Sequence, residues 1–147
     1  MIDFRYTHIL YTKQQNIIIM KLTDQLMAEL QRLKLSPMED GNKIIFSYEG
    51  VKYMYCDMGM DGYLYFMTFI ADIEDCERLE VYKAINEVNL GLHFAKCFLK
   101  EEMVLATYEF WTGDDAKLEF VILNALSTLS AARSNFLSGN GQREIGS

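Results

Sequence analysis

Five segments of this chain read as β-strands, and they are apolar in both alternating registers. Residues 63–70 place Tyr63, Tyr65, Met67 and Phe69 on one face, and Leu64, Phe66, Thr68 and Ile70 on the other. Residues 103–111 repeat the pattern, with Met103, Leu105, Thr107 and Trp111 against Val104, Ala106, Tyr108 and Phe110. A sheet with one solvated face should instead read apolar-in and polar-out. Only three helices are available to cover such a sheet. One face is therefore expected to pack on the chain's own helices, and part of the other to be kept for something else.

The first helix carries Leu22, Leu26, Leu30 and Leu33 as one stripe. Thr23 is its expected N-cap, Asp24 suits its positive end, and Ser36–Pro37 should stop it. Strands are predicted at 43–49, 51–58 and 63–71, joined by Glu49–Gly50 and by residues 59–62. These connections are too short for parallel crossovers, so the pairings should be antiparallel. Asp72, Glu74, Asp75 and Glu77 then load the expected first turn of a second helix, whose stripe is Leu79, Tyr82, Ile85 and Val88 and whose stop is Gly91. Residues 92–99 and 103–111 read as a hairpin. The last helix is expected from Thr112, with Asp115 as a capping partner, to about Leu137. Its stripe is Leu118, Ile122, Ala125, Leu126, Leu129, Ala132 and Phe136, while Phe120, Val121 and Leu123 lie off it. A helix apolar on more than one side needs burial on two sides or a partner. The predicted fold is α+β, in the order α-β-β-β-α-β-β-α, with a single antiparallel five-stranded sheet and helices mainly on one face.

The length of 147 residues fits one domain with a real core. Residues 20–137 are read as that domain, residues 1–19 as an extension or edge strand, and 138–147 as a flexible polar tail. Met20 is a candidate natural start. The stretch before it lacks the basic start, long apolar run and small-residue site of a signal peptide. No segment approaches the roughly 20 apolar residues of a membrane span, so a cytoplasmic protein with no membrane partner is expected. The net charge of −7, from 14 basic and 21 acidic residues, opposes nucleic acid and favours a basic or mixed partner.

Candidate chemistry is sparse. Cys56, Cys76 and Cys97 are odd in number and widely spaced, which suits buried free thiols rather than a disulfide framework or zinc site. His93 and Cys97 share an expected strand face, but about 13 Å of strand rise separates them, too far for a nucleophile and its base. The acids at 72–80 lack the alternation and glycine bend of a calcium loop. Asp57, Asp61 and Gly62 suit a hairpin turn for backbone reasons. No phosphate-cradling glycine motif is present. No catalytic residue, metal or cofactor is expected, and the chain does not read as an enzyme. Tyr53, Tyr55, Tyr63, Tyr65 and Tyr82 are the candidate interface, because tyrosine tolerates partial exposure and is favoured at protein contacts. A stacking platform for nucleic acid would also need a basic groove.

The meander at 43–71, the segment Ile85-Asn86-Glu87-Val88-Asn89-Leu90, the hairpin at 92–111 and the long last helix resemble the YbjN-like domain family, whose members are often labelled bacterial sensory-transduction regulators. They also resemble the wider class of type III secretion chaperone-like folds. The resemblance covers about residues 20–137 and implies a small bacterial protein that binds a protein partner or itself, often as a homodimer. It supplies no catalytic residues. The expected function is a chaperone-like or regulatory binding module. The alternative is a small-molecule sensor with a pocket between sheet and helices, lined by some of the nine methionines.

Overall fold

The computed structural model describes the backbone of residues 21–113 and 117–144, and the side chains of these as far as residue 139. The expectations for residues 1–19 and for Asp115 fall outside them. The elements are α1 (Leu22–Arg32), β1 (Met38–Asp40), β2 (Lys43–Tyr48), β3 (Val51–Cys56), β4 (Tyr63–Asp72), α2 (Arg78–Leu90), β5 (Ala95–Lys100), β6 (Met103–Trp111) and α3 (Leu118–Glu144). The sheet has six strands rather than five, in the order β1-β2-β3-β4-β6-β5, and every pairing is antiparallel. The extra strand, β1, is only three residues long and fully exposed. It escapes a periodicity reading for that reason, although Asp40-Gly41-Asn42, with Gly41 at φ +61°, is a tight-turn signal.

All three helices lie on one face of the sheet. Toward them point Ile44 and Phe46 of β2, Tyr53 and Tyr55 of β3, Leu64, Phe66, Thr68 and Ile70 of β4, and Val104, Ala106 and Tyr108 of β6. Phe66 sits at the centre of this layer. Its ring meets Phe46 edge-on at 6.3 Å, Tyr55 at 5.7 Å and Tyr108 at 6.5 Å, distances at which aromatic quadrupoles attract. Tyr53 places its hydroxyl 3.2 Å from Ser130 of α3, which satisfies the polar end of a buried ring. The stripe of α3 is buried from Ile122 to Phe136, as its spacing requires.

Several ends differ from expectation. Helix α1 takes Lys21 rather than Thr23 as its N-cap, with no side-chain cap bond. Thr23 lies inside the first turn, its hydroxyl 3.5 Å from Asp57. Helix α1 also stops before Ser36–Pro37. Lys34 turns left-handed at φ +59°, its N–H donates to Gln31, and the N–H of Leu35 donates to Leu30 at 3.0 Å. That paired pattern is a Schellman stop, built on lysine where glycine is usual. Asp72 ends β4 instead of starting α2, and α2 begins at Arg78 with Glu77 as its uncapped N-cap. Its buried stripe is Val81, Ala84, Ile85 and Val88, so Leu79 and Tyr82 face solvent instead. Thr112 does not open the last helix. It closes the sheet, with its N–H 2.7 Å from the carbonyl of Gly62. Gly62 itself, at φ +73°, has the Thr112 carbonyl 3.0 Å from where a Cβ would stand. The polar tail expected from residue 138 is helical as far as Glu144.

The outer edge of β5 is closed by one side chain. Asn89 of α2 donates its amide to the carbonyl of Cys97 at 2.9 Å and accepts the Cys97 N–H at 2.7 Å. The amide thereby acts as one residue of a seventh strand at an edge that would otherwise invite pairing. Asn89→Ala should leave both backbone groups unpaired and destabilise the fold by about 2–3 kcal/mol in denaturant titration. Lys34→Gly should stabilise it by about 1 kcal/mol, because glycine adopts the left-handed conformation without a Cβ penalty.

Candidate functional site

Among the described residues, the second face of the sheet has no helix against it. Cross-strand partners share a face, so the register fixes what lies there. One row runs from Phe98 of β5 through Leu105 of β6 to Phe69 of β4. Beside it run Met67 of β4, Met54 of β3, Ile45 of β2 and Met38 of β1. The two rows form an apolar band that crosses the strands. A β-bulge between Phe69 and Ala71 shifts the β4–β6 register at one side of the band. Bulges bend a strand and increase its twist, and the face here is hollowed rather than flat. The hollow is a groove of about 560 Å³ whose lining includes Ile45, Met54, Met67, Phe69, Phe98 and Leu105. Lys52 and Lys100 also line it.

The groove mixes shelter and exposure. Leu105 and Thr107 are buried on this face. Phe69 is 49% exposed and Met38 62%. Beyond one long side of the band, Tyr63 and Trp111 pack at 4.9 Å. Burial first, and then its hydrogen bond to Glu109, raise the Tyr63 phenol to about 12. Glu109 also meets Lys96 at 2.9 Å. The Lys96 hydrogen bond, followed by that of Tyr63, holds the Glu109 carboxyl below the ordinary value, and the same pairing with Glu109 raises Lys96.

The five candidate tyrosines do not form one surface. Tyr53 and Tyr55 are 1% and 2% exposed and belong to the helix-facing core. They cannot share a register with Tyr63 and Tyr65, because Tyr53 pairs with Thr68 and Tyr55 with Phe66, on the opposite side of β4 from those two. Tyr63 and Tyr65 are on the open face. Tyr82 is 53% exposed on α2, on the other side of the sheet. With Leu79, Leu90 and Phe94 it makes a second exposed apolar patch. The methionines and phenylalanine at the centre of the groove were missed as site residues. Their signal was the doubly apolar pattern of β4 and β6, but periodicity does not say which register stays open.

The remaining candidates are ordinary. Cys56 and Cys97 are buried and Cys76 is exposed, all as free thiols. Burial pushes the Cys97 thiol up to about 11, which makes it a poor nucleophile. His93 is exposed and precedes β5 rather than lying in it. Asp57 accepts the Gly59 N–H at 2.8 Å, a turn-forming bond. Asp72, Glu74 and Glu102 bring one carboxylate oxygen each within 4.8 Å of the others, all fully at the surface. Glu102 also faces Arg78 at 4.0 Å, and Asp72 accepts the Glu74 N–H at 3.2 Å. No described helix is long and apolar enough to cross a membrane.

Comparison with known proteins supports the architecture. Over 82% of this chain and 93% of the other, the fold is similar to that of YbjN from E. coli, a candidate transcription regulator, with a TM-score of 0.64 and 14% identity. The chain has a YbjN-like, type III secretion chaperone-like fold. The second part of that description rests on the HopA1–SchA chaperone–effector complex, with a TM-score of 0.57, 9% identity, and coverage of 76% of this chain and 88% of that one. No protein-family model matches the sequence, and no curated protein matches it. At these identities the likeness concerns the fold alone.

The Glu109 contacts set a pH dependence. A carboxyl lowered in the folded state contributes stability above its unfolded value of about 4.3, and that contribution is lost as pH falls through the folded value. Glu109→Gln should therefore lower stability near neutral pH by roughly 0.5 kcal/mol, the scale of a solvent-screened pair. Melting curves of the two proteins should converge in acid.

Proposed function

We propose that this chain is a non-catalytic protein-binding module, chaperone-like or regulatory, that docks a protein partner on the open face of its sheet. The apolar band across that face carries the reading. Its groove runs across five strands, β2 to β6, it is concave, and it is apolar at its centre where a catalytic cleft would gather polar groups. The similarity of fold to a chaperone that binds an effector supports the same reading. Buried free thiols at Cys56 and Cys97 suit a reducing cytoplasm.

The chain is also proposed to form a homodimer, through the outer face of α2. Leu79, Tyr82, Asn86 and Leu90 recur at three- to four-residue spacing and all face solvent there. A two-fold axis across such a stripe would pair it with its own copy. Self-association and partner docking would then use opposite sides of the sheet.

Met54, Met67 and Met103 favour a second reading, because flexible thioethers line adaptable pockets. A small apolar ligand would then occupy the same groove. It would not lie between sheet and helices as the sequence suggested, since Phe46, Phe66, Ile122 and Leu129 fill that space.

Light scattering on the purified protein should give twice the chain mass of 17.1 kDa, and Tyr82→Asp should halve it. A tagged pull-down from native cytoplasm should recover one stoichiometric protein, and Met67→Asp should lose that protein while keeping the dimer. A monomer at the highest soluble concentration that captures nothing would sink the proposal.

A further inference from the structure

The described chain starts at the β3–β4 turn, within reach of the groove. Lys21 and Thr23 border a hollow there together with Asp57, Met60 and Asp61, and the Thr23 hydroxyl lies 3.5 Å from Asp57. That turn joins the two strands whose side chains Met54 and Met67 face each other in the groove. Met54 is three residues from Asp57, about 10 Å at the usual strand rise. On the turn itself Met58 is 50% exposed and Met60 45%, so the way from Lys21 to the groove is apolar too. Residues 1–20 precede Lys21, and 20 residues can span at most about 70 Å. The tether is several times longer than the path along the strand requires.

Residues 1–20 also suit the groove in composition. Eleven of the twenty are apolar or aromatic, and the charged ones are Asp3, Arg5 and Lys13 alone. Burying such side chains is favourable by about 25 cal/mol per Å². The margin of the groove carries both signs, since Asp72 stands in the same open-face row as Met103 and Lys100. A strongly charged occupant gains nothing at such a margin, and a nearly neutral one loses nothing. The remainder of the chain holds 20 acids against 12 bases, so a segment with two bases and one acid is not repelled by it. The exposed apolar patch on the outer face of α2 is the less accessible alternative. Helix α2 packs on β5 and α3, and β5 lies three strand spacings from β3, about 14 Å, on the far side of the sheet from the groove.

On the reading that the open face docks a protein, we infer that the groove has an occupant within the chain itself. Residues 1–20 bind the groove in cis, and a protein partner must displace them. Tethering holds such a segment at an effective concentration of up to about the millimolar range. A partner therefore binds the full chain more weakly than its own contacts would give. The same contact keeps the apolar face from pairing with unrelated surfaces.

Peroxide oxidation of the methionines, read one by one by mass spectrometry, tests it on the full chain. The parent is compared with the triple variant Ile9→Asp, Leu10→Asp, Ile18→Asp. Met54 and Met67 should oxidise about ten-fold faster in the variant, as when a groove occupied nine-tenths of the time is opened. Met27 of α1, packed against the helix-side core, should keep its rate. Protection in the parent should not change on dilution. The variant should recover more of the pull-down partner than the parent does, and Met67→Asp added to it should lose that partner. Equal oxidation of Met54 and Met67 in parent and variant would overturn the cis occupant, and a partner that still depends on Met67 would leave the docking face standing. Faster oxidation of Met27 as well would overturn it by making the segment part of the core packing. Protection lost on dilution would overturn it in favour of exchange between two copies. Loss of the partner from the triple variant would overturn the competition. Protection that holds in cis while neither protein captures a partner would overturn the docking reading and leave the groove as a seat for the chain's own residues.

Discussion

The three described helices all pack on one side of a six-stranded sheet, and the arrangement of the described residues follows from that one-sided cover. The covered side is packed with aromatic rings around Phe66, where burial and ring geometry act together. Among the described residues, the other side has no helix over its apolar side chains. The bulge at Phe69–Ala71 shifts the β4–β6 register, and Leu105 and Thr107 are buried. What stays open there is a groove.

The edges of the sheet show the same economy. At one end, the short exposed strand β1 and the Leu35 carbonyl, which accepts the Ser47 N–H at 2.9 Å, cover β2. At the other end Asn89 pairs both backbone groups of Cys97. Short edge strands and covered edges both limit unwanted pairing between chains. Strand addition at Cys97 is thereby blocked. The Asn89 contact gives a physical role to a segment that stood out in the sequence only through resemblance.

Much of the fold was legible in the chain. Strands β2, β3 and β4 follow from alternation and from glycine turns, and the buried stripe of α3 follows from its spacing. The boundaries that failed share a cause, because tertiary contacts overrode local signals. Thr112 looked like a helix cap, yet its backbone N–H is taken by Gly62. The acids at 72–77 looked like a helix start, yet Asp72 pairs with Met103 in the sheet. Leu79 and Tyr82 were read as one apolar stripe with Ile85 and Val88, yet the buried residues of α2 are Val81, Ala84, Ile85 and Val88. The candidate site was half legible. Tyr63 and Tyr65 face outward, but Tyr53 and Tyr55 do not. Counting along one strand cannot align it with the next, since register between strands is set by pairing.

By itself the sequence determined the α+β class, the antiparallel meander and the excess of apolar surface over available helices. These depend on local periodicity and on loops too short for crossovers. Only the tertiary structure decided which register the helices cover, and so which residues remain open. When both faces of a strand are apolar, hydrophobicity does not distinguish them. The choice rests on how Phe46, Tyr53, Tyr55, Phe66 and Tyr108 fit together against the helices. That fit depends on cross-strand register and three-dimensional packing, which no single segment encodes.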